Sequence, residues 1–246
     1  AIHVASSEEQ WWQFRGPQGN GHTLSTGLPL EWDEKKNVVW KTSIHDRGWS
    51  SPVIWNDQVW MTTTTKDGTK LFAICVDKNS GKIHHDIHVF DVEIPMAITS
   101  DNTYATPTSV IEEGRVYIHF GTYGTACLDT VTGKILWARR DLKCDHEKGA
   151  GPASSPLLVG DLLVMHVDGR DVQYIIALNK KDGTTAWKTD RSLDYSKVPV
   201  HQRKAYGMPV LIPRGEKTQL AGVGGRGVFA YDPATGKELW RCSQGS

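Results

Sequence analysis

Three stretches of this chain carry residue types that could do chemistry. GVGGRG places Gly222, Gly224 and Gly227 in the pattern G-x-G-x-x-G. At that spacing, backbone amides opening a helix cradle a dinucleotide pyrophosphate. Asp145, His146 and Glu147 are three consecutive metal-ligand types, and His84, His85 and His88 stand close together. Cys75, Cys127, Cys144 and Cys242 supply thiols. A nucleophilic serine has no support, because no G-x-S-x-G elbow occurs.

Each candidate weakens once its element is considered. The strand-like run VFAYD follows the glycines, where a dinucleotide fold requires a helix. The glycines therefore read as a hairpin turn. Three consecutive ligands on an extended loop point different ways, and no second cluster stands at ligand spacing, so no metal site is expected. His84 and His88 share one face of a strand and His85 takes the other, which suits structural or surface roles. The cysteines form no C-x-x-C, which sets aside zinc-ribbon and thioredoxin chemistry.

Charge and hydropathy narrow the partners. Lys plus Arg is 28 and Asp plus Glu is 28 in 246 residues, so the general electrostatic pull toward nucleic acid or an anionic membrane is missing. The pair Arg139-Arg140 reads as solvated surface. No apolar run is long enough to span a membrane. The stretch AIHVASSEEQ has small residues of the kind found near secretory cleavage sites, which makes a periplasmic or extracellular location the expectation.

What positions these residues is a repeat. ICVDKNSGKIHH, CLDTVTGKILW, ALNKKDGTTAW and AYDPATGKELW share a small residue, then Asp or Asn, then Gly, then a bulky ring. The members are Asp77, Gly81 and His85; Asp129, Gly133 and Trp137; Asn179, Gly183 and Trp187; and Asp232, Gly236 and Trp240. The glycines are spaced 52, 50 and 53 residues apart, and an upstream set, Pro52, Pro107, Pro156 and Pro209, keeps nearly the same period. Two independent landmarks at one period mark a repeat architecture. Within each unit the punctuation predicts four short antiparallel strands, as in a propeller blade. Asp should hold the turn, Gly should supply positive φ, and the ring should lie over the seam to a neighbouring blade. Cys75 and Cys127 fall at equivalent strand positions, where a small buried residue is wanted. With His85 in place of Trp, the first seam should be weaker or differently bonded.

The run small-x-Asp-x-x-Thr-Gly-x-x-x-Trp resembles the tryptophan-docking repeat of the pyrroloquinoline-quinone-like (PQQ-like) β-propeller family, and the resemblance covers residues 37–241. WWQFRGPQGNGH and YIHFGTYGTACLDTVTGKILW are similar to its large secreted branch. The resemblance implies an all-β fold with an irregular segment over 1–36 and propeller repeats over 37–246. Blades are expected at about 49–92, 104–142, 153–192 and 206–243. NVVWKTSI, with Trp40 in the docking position, reads as an orphan outer strand. Four blades plus one orphan strand suggest part of a seven- or eight-bladed ring, whose remaining blades lie outside this chain. The open side should favour self-association.

Function is less specific than fold. Long connections between blades carry Asp101, Lys143, Asp145, His146, Glu147, Lys148, His201, Arg203 and Lys204. Three residues before each anchor proline stand Trp49, Tyr104, Ala153 and Tyr206. The three aromatic rings could form a stacking surface for a flat ligand at the channel mouth, or pack the loops onto it. Trp49, Tyr104, Tyr206, Asp145, His146, His201 and Arg203 are thus the candidate ligand residues. The favoured reading is a binding or scaffold module for a protein, glycan or small molecule. The alternative that the resemblance implies is a quinone-dependent dehydrogenase of alcohols or sugars, holding PQQ with calcium. The adjacent cysteine pair common in its alcohol-oxidising enzymes is missing here.

Overall fold

Runs such as QVWMTTT and LLVMHVD are rich in β-branched and aromatic residues and are bounded by Gly, Asn and Asp turns, so they pair as strands. A computed structural model describes residues 10–146 and 149–243. Glu147, Lys148 and nearly all of AIHVASSEEQ lie outside them.

Sixteen strands form four separate four-stranded sheets, each paired antiparallel in sequence order. The first contains β1 (Val53–Trp55), β2 (Gln58–Thr64), β3 (Lys70–Asp77) and β4 (Ile83–Asp91). The second contains β5 (Val110–Glu112), β6 (Arg115–His119), β7 (Thr125–Asp129) and β8 (Ile135–Arg139). The third contains β9 (Leu157–Val159), β10 (Leu162–Asp168), β11 (Gln173–Asn179) and β12 (Thr185–Asp190). The fourth contains β13 (Val210–Arg214), β14 (Lys217–Gly224), β15 (Gly227–Tyr231) and β16 (Glu238–Ser243). Only short 3-10 turns interrupt this all-β pattern among the described residues.

The apolar core is layered between sheets. One cluster joins Trp60 and Leu71 of the first sheet to Ile118 and Phe120 at the second. Another joins Tyr117 and Trp137 to Leu163 and Met165 of the third. A third joins Val164 and Trp187 to Leu220 and Phe229 of the fourth. Each sheet is therefore sealed by its neighbour, as blades fanned about an axis require.

The turn ending each third strand fixes these seams. Asp77, Asp129 and Asp232 each accept backbone N–H bonds from the two residues before the turn glycine, at 2.7–3.2 Å. Hydrogen bonds from Ser80, Thr132 and Thr235 hold these carboxyls below the usual range. Gly81, Gly133, Gly183 and Gly236 have φ of 70–73°, open to glycine at little cost. Space is the second reason for glycine. A Cβ at Gly183 would lie 2.6 Å from the Trp137 ring, and one at Gly236 would enter the Trp187 ring. Trp137 Nε1 donates to Lys180 O at 2.9 Å and Trp187 Nε1 to Pro233 O at 3.2 Å, one residue past Asn179 and Asp232. Trp240 departs from this. Its Nε1 donates to Gln219 of its own sheet at 2.9 Å, because no further sheet stands beyond it among the described residues.

The expected strand NVVWKTSI is not a ladder member. Residues 38–45 pair with no strand, because none lies beside them in the described structure. Trp40 nevertheless makes the seam contact: its Nε1 donates to Lys78 O at 2.8 Å and its ring lies against Gly81. With Ile44 it covers Val59, Ile74 and Val76, the face of the first sheet turned away from the second. Residues 11 and 12 serve the inner edge, where Trp11 O accepts from Ile54 N of β1 at 2.8 Å and Trp12 O from Ile111 N of β5 at 3.0 Å.

Candidate functional site

GVGGRG forms the hairpin from β14 to β15, with Arg226 at φ 63° in the turn. Its glycines make room for the third sheet. A Cβ at Gly222 would fall inside the His166 imidazole, and one at Gly224 would lie 2.7 Å from Arg191 Nε. The motif thus accommodates two buried polar side chains and cradles no phosphate.

The first of these, His166, borders a polar cavity. His119, Cys144, His146, His166, Asp168 and Lys204 enclose about 20 Å³, room for about one water molecule. His119 ends β6, while His166 and Asp168 lie on β10. Cys144 and His146 come from the connection between the second and third sheets, and Lys204 from that between the third and fourth. The strand registers put His119 and His166 at the same place in adjacent sheets. Each is two residues past the partner of a small residue, Cys127 or Ala177.

Hydrogen bonds orient the imidazoles, and burial sets their protonation. His119 Nδ1 meets Thr125 Oγ1 at 2.8 Å, and His166 Nδ1 donates to Gly207 O at 3.0 Å. Lys204 Nζ donates to His146 Nδ1 at 2.8 Å and to Asp168 O at 3.1 Å. The Nε2 atoms of His146 and His166 are buried without a partner. Burial, aided by the Lys204 charge, pushes His119 down to about 4 and His146 down to about 3. Burial also lowers Lys204 and raises the Cys144 thiol to about 11. Beneath them Arg191 holds Asp168 through two bonds of 2.8 and 2.7 Å, both side chains fully buried. Burial pushes the Asp168 carboxyl up, and the guanidinium pulls it back.

The sequence-predicted ligand residues separate. His146 lines the cavity, and Tyr206 stands beside it with Lys204 Nζ 5.3 Å from its ring centre. Ala153, the fourth mouth position, also lines it. Asp145 pairs with Arg170 at 3.4 Å, and Arg203 donates to Val198 O at 2.9 Å. His201 is exposed on a 3-10 turn and Trp49 is exposed. Tyr104 is a correction to the expected aromatic platform: it is buried, edge-on to Tyr123, with its hydroxyl on Met96 O at 2.7 Å. Gly68, which leaves space for the Tyr104 ring, explains the packing.

His119, His166 and the Asp168–Arg191 pair escaped the sequence reading. Their signal was a histidine recurring in two otherwise apolar second strands.

A calcium-bound quinone would need several hard oxygen ligands and a slot for a flat polycycle. Imidazoles, an ammonium and about 20 Å³ do not fit it. Among the described residues no three His, Cys, Asp or Glu side chains are grouped to hold a metal ion.

Comparisons with known proteins agree with the blades. A quinoprotein ethanol dehydrogenase of Pseudomonas aeruginosa is 29% identical over 145 residues, 54% of this chain and 22% of the enzyme. The quinohemoprotein alcohol dehydrogenase ADHIIG of Pseudomonas putida HK5 superposes with a TM-score of 0.57 at 14% identity, over 83% of this chain and 35% of that one. BamB of Moraxella catarrhalis does so with a TM-score of 0.54 at 17% identity, over 84% and 55%. At these identities the solved structures establish the fold, and the chain spans a minor part of the dehydrogenases. A family model described as outer membrane protein assembly factor BamB matches residues 92–246, more than half of the chain, which therefore belongs to that PQQ-like β-propeller family.

Proposed function

We propose that this chain is a binding or scaffold module of an extracytoplasmic propeller. Its ligand is held on the face where inter-blade connections meet the ends of the second strands. The chemistry of the polar cavity carries this reading. Proton transfer at neutral pH works best with a group that titrates nearby. His119 and His146 are held far below that range, and the Cys144 thiol far above it. Such groups donate and accept hydrogen bonds well and are poor bases and nucleophiles. A location outside the cytoplasm is supported by the outer-membrane assembly family. No helix among the described residues is long and apolar enough to cross a membrane.

The likeness to a quinoprotein ethanol dehydrogenase favours a second reading, a quinone-dependent dehydrogenase of alcohols or sugars. One experiment separates the two. The full-length protein is incubated with PQQ and calcium, desalted, and assayed for cofactor absorbance and dye-linked alcohol oxidation. The binding reading expects neither, and retention with turnover would replace it. Fractionation that finds the protein in the cytosol would overturn the location.

A further inference from the structure

Residues 38–45 reach the first sheet through side chains. Trp40 Nε1 donates to Lys78 O, Thr42 Oγ1 donates to Gly81 O, and Ile44 packs on the apolar face. Upstream, residues 20–39 are exposed; downstream, Arg47 pairs its backbone with Thr64 of β2. The segment is a strap with a backbone hinge at Arg47.

Beside the hinge stands His45. Its Nδ1 is 2.7 Å from Asp46 Oδ2, and its Nε2 is 3.0 Å from Asp86 Oδ1 of β4. A carboxylate only accepts, so both ring nitrogens must donate, and only the imidazolium carries two N–H groups. A neutral ring would set one lone pair against a carboxylate. Asp46 stands against this ring with φ of 60°, a conformation that residues with a Cβ rarely take. Phe72 of β3 meets the imidazole edge-on at 4.8 Å and adds no charge. β2 carries no titratable side chain, and the Arg47 guanidinium turns to Ser100 O and Asn102 O. On β4, His88 contacts the same Phe72 ring and pairs with Asp91 at 3.1 Å.

We propose that His45 is a pH-sensitive latch on this strap, closed onto Asp46 and Asp86 while its ring is charged and loosened when the ring is neutral. Loosening frees Ile44 and Trp40 from Val59, Ile74 and Val76. Hydrogen bonds to Asp86 and then Asp46 hold the imidazole above its ordinary value of 6.5. A folded value above the unfolded one adds stability that is complete below 6.5 and is lost as pH rises through the folded value.

The test follows this chain from about pH 5.5 to about pH 8.5. Ring nitrogen-15 shifts report His45, and amide exchange of residues 40–46, corrected for its intrinsic pH dependence, reports the strap. The latch expects a His45 midpoint above 6.5 and strap protection that falls through the same midpoint. The loss should be roughly 2–10-fold, the scale of two partly exposed ion pairs. His45→Gln should keep the weaker protection throughout, with no transition. Asp86→Asn should lower the midpoint, and Asp91→Asn, which releases His88, should leave it in place. A His45 midpoint at or below 6.5 overturns the latch. So does strap protection that ignores pH, or a transition that survives in His45→Gln. Should His45→Gln fail to fold, the parent protein and Asp86→Asn decide by the same two readings.

Discussion

At the residue scale the first seam shows how one side chain substitutes for another. The row Trp60, Cys75, His85 in the first sheet corresponds to Tyr117, Cys127, Trp137 in the second and to Val164, Ala177, Trp187 in the third. Ring volume has moved from the outer strand to the second strand. His85 stacks on Trp60 with centroids 5.6 Å apart, and its Nε2 is 3.3 Å from Thr130 O. Gln58 reaches the same carbonyl at 3.0 Å while accepting from Trp60 Nε1 at 3.0 Å. The seam is differently bonded, as the histidine foretold. His85→Trp alone should overpack against Trp60 and destabilise by about 1–3 kcal/mol. Adding Trp60→Val should recover most of that loss. Chemical denaturation of the two singles and the double gives the coupling, and independent additive losses would contradict the shared-volume argument. The cavity histidines make a separate prediction. Their folded values, about 4 for His119 and about 3 for His146, lie below the unfolded value of 6.5. The unfolded chain therefore binds more protons between those limits, and stability falls as pH drops from 6.5 toward 4. Each group should cost on the order of a few kcal/mol by the acid end. His146→Gln should flatten the stability profile across that window, and a profile unchanged by it would refute the assignment.

At the element scale the glycine of the turn ending each third strand does two things at once, and they can be separated. Gly160 and Gly183 both have positive φ, 57° and 73°, but nothing lies within 4 Å of a Cβ at Gly160. Gly160→Ala should therefore cost about 1 kcal/mol for the backbone alone. Gly183→Ala must also displace Trp137 and should cost about 1–3 kcal/mol more. Equal losses in denaturant midpoint would mean the ring is not seated on the turn. This arrangement explains what the sequence could show. Asp129, Gly133 and Trp137 are legible because turn, φ and seam each demand a residue type at a fixed offset, and the demand recurs. The ladder of NVVWKTSI was not legible, since pairing depends on a neighbour that local sequence does not encode. Tyr104 misled because its position before Pro107 matches Trp49 and Tyr206, while Gly68, far off in the chain, decides its burial. His119 and His166 hid inside runs whose alternation reads as core. Lys204 hid among connection residues that read as solvated, and only the fold brings it to His146.

At the scale of the whole molecule the two ends of the blade series differ. On the first sheet, Trp40 and Ile44 cover the outward face. On the fourth sheet nothing among the described residues covers the corresponding outward face. Strand register places Val210, Ile212, Val223, Val228 and Trp240 together there, the valines and isoleucine each 37–53% exposed. In the third sheet the same positions, among them Val164 and Trp187, are buried under the fourth. In a larger ring this face would receive another sheet, whose turn carbonyl would take the Trp240 indole in place of Gln219. By itself the chain presents a contiguous apolar patch, and such patches associate. The manner of association follows from the asymmetry. Stacking head to tail would need a bare first sheet, and Trp40 already occupies it, so open-ended filaments are disfavoured. Two fourth sheets meeting face to face form a closed two-fold contact that stops at two copies. Sedimentation equilibrium of this chain should fit a monomer–dimer scheme, with Val223→Lys returning it to monomer. A concentration-independent monomer would show the face to be satisfied already, and growth beyond dimer would show that the Trp40 cover yields to the incoming blade.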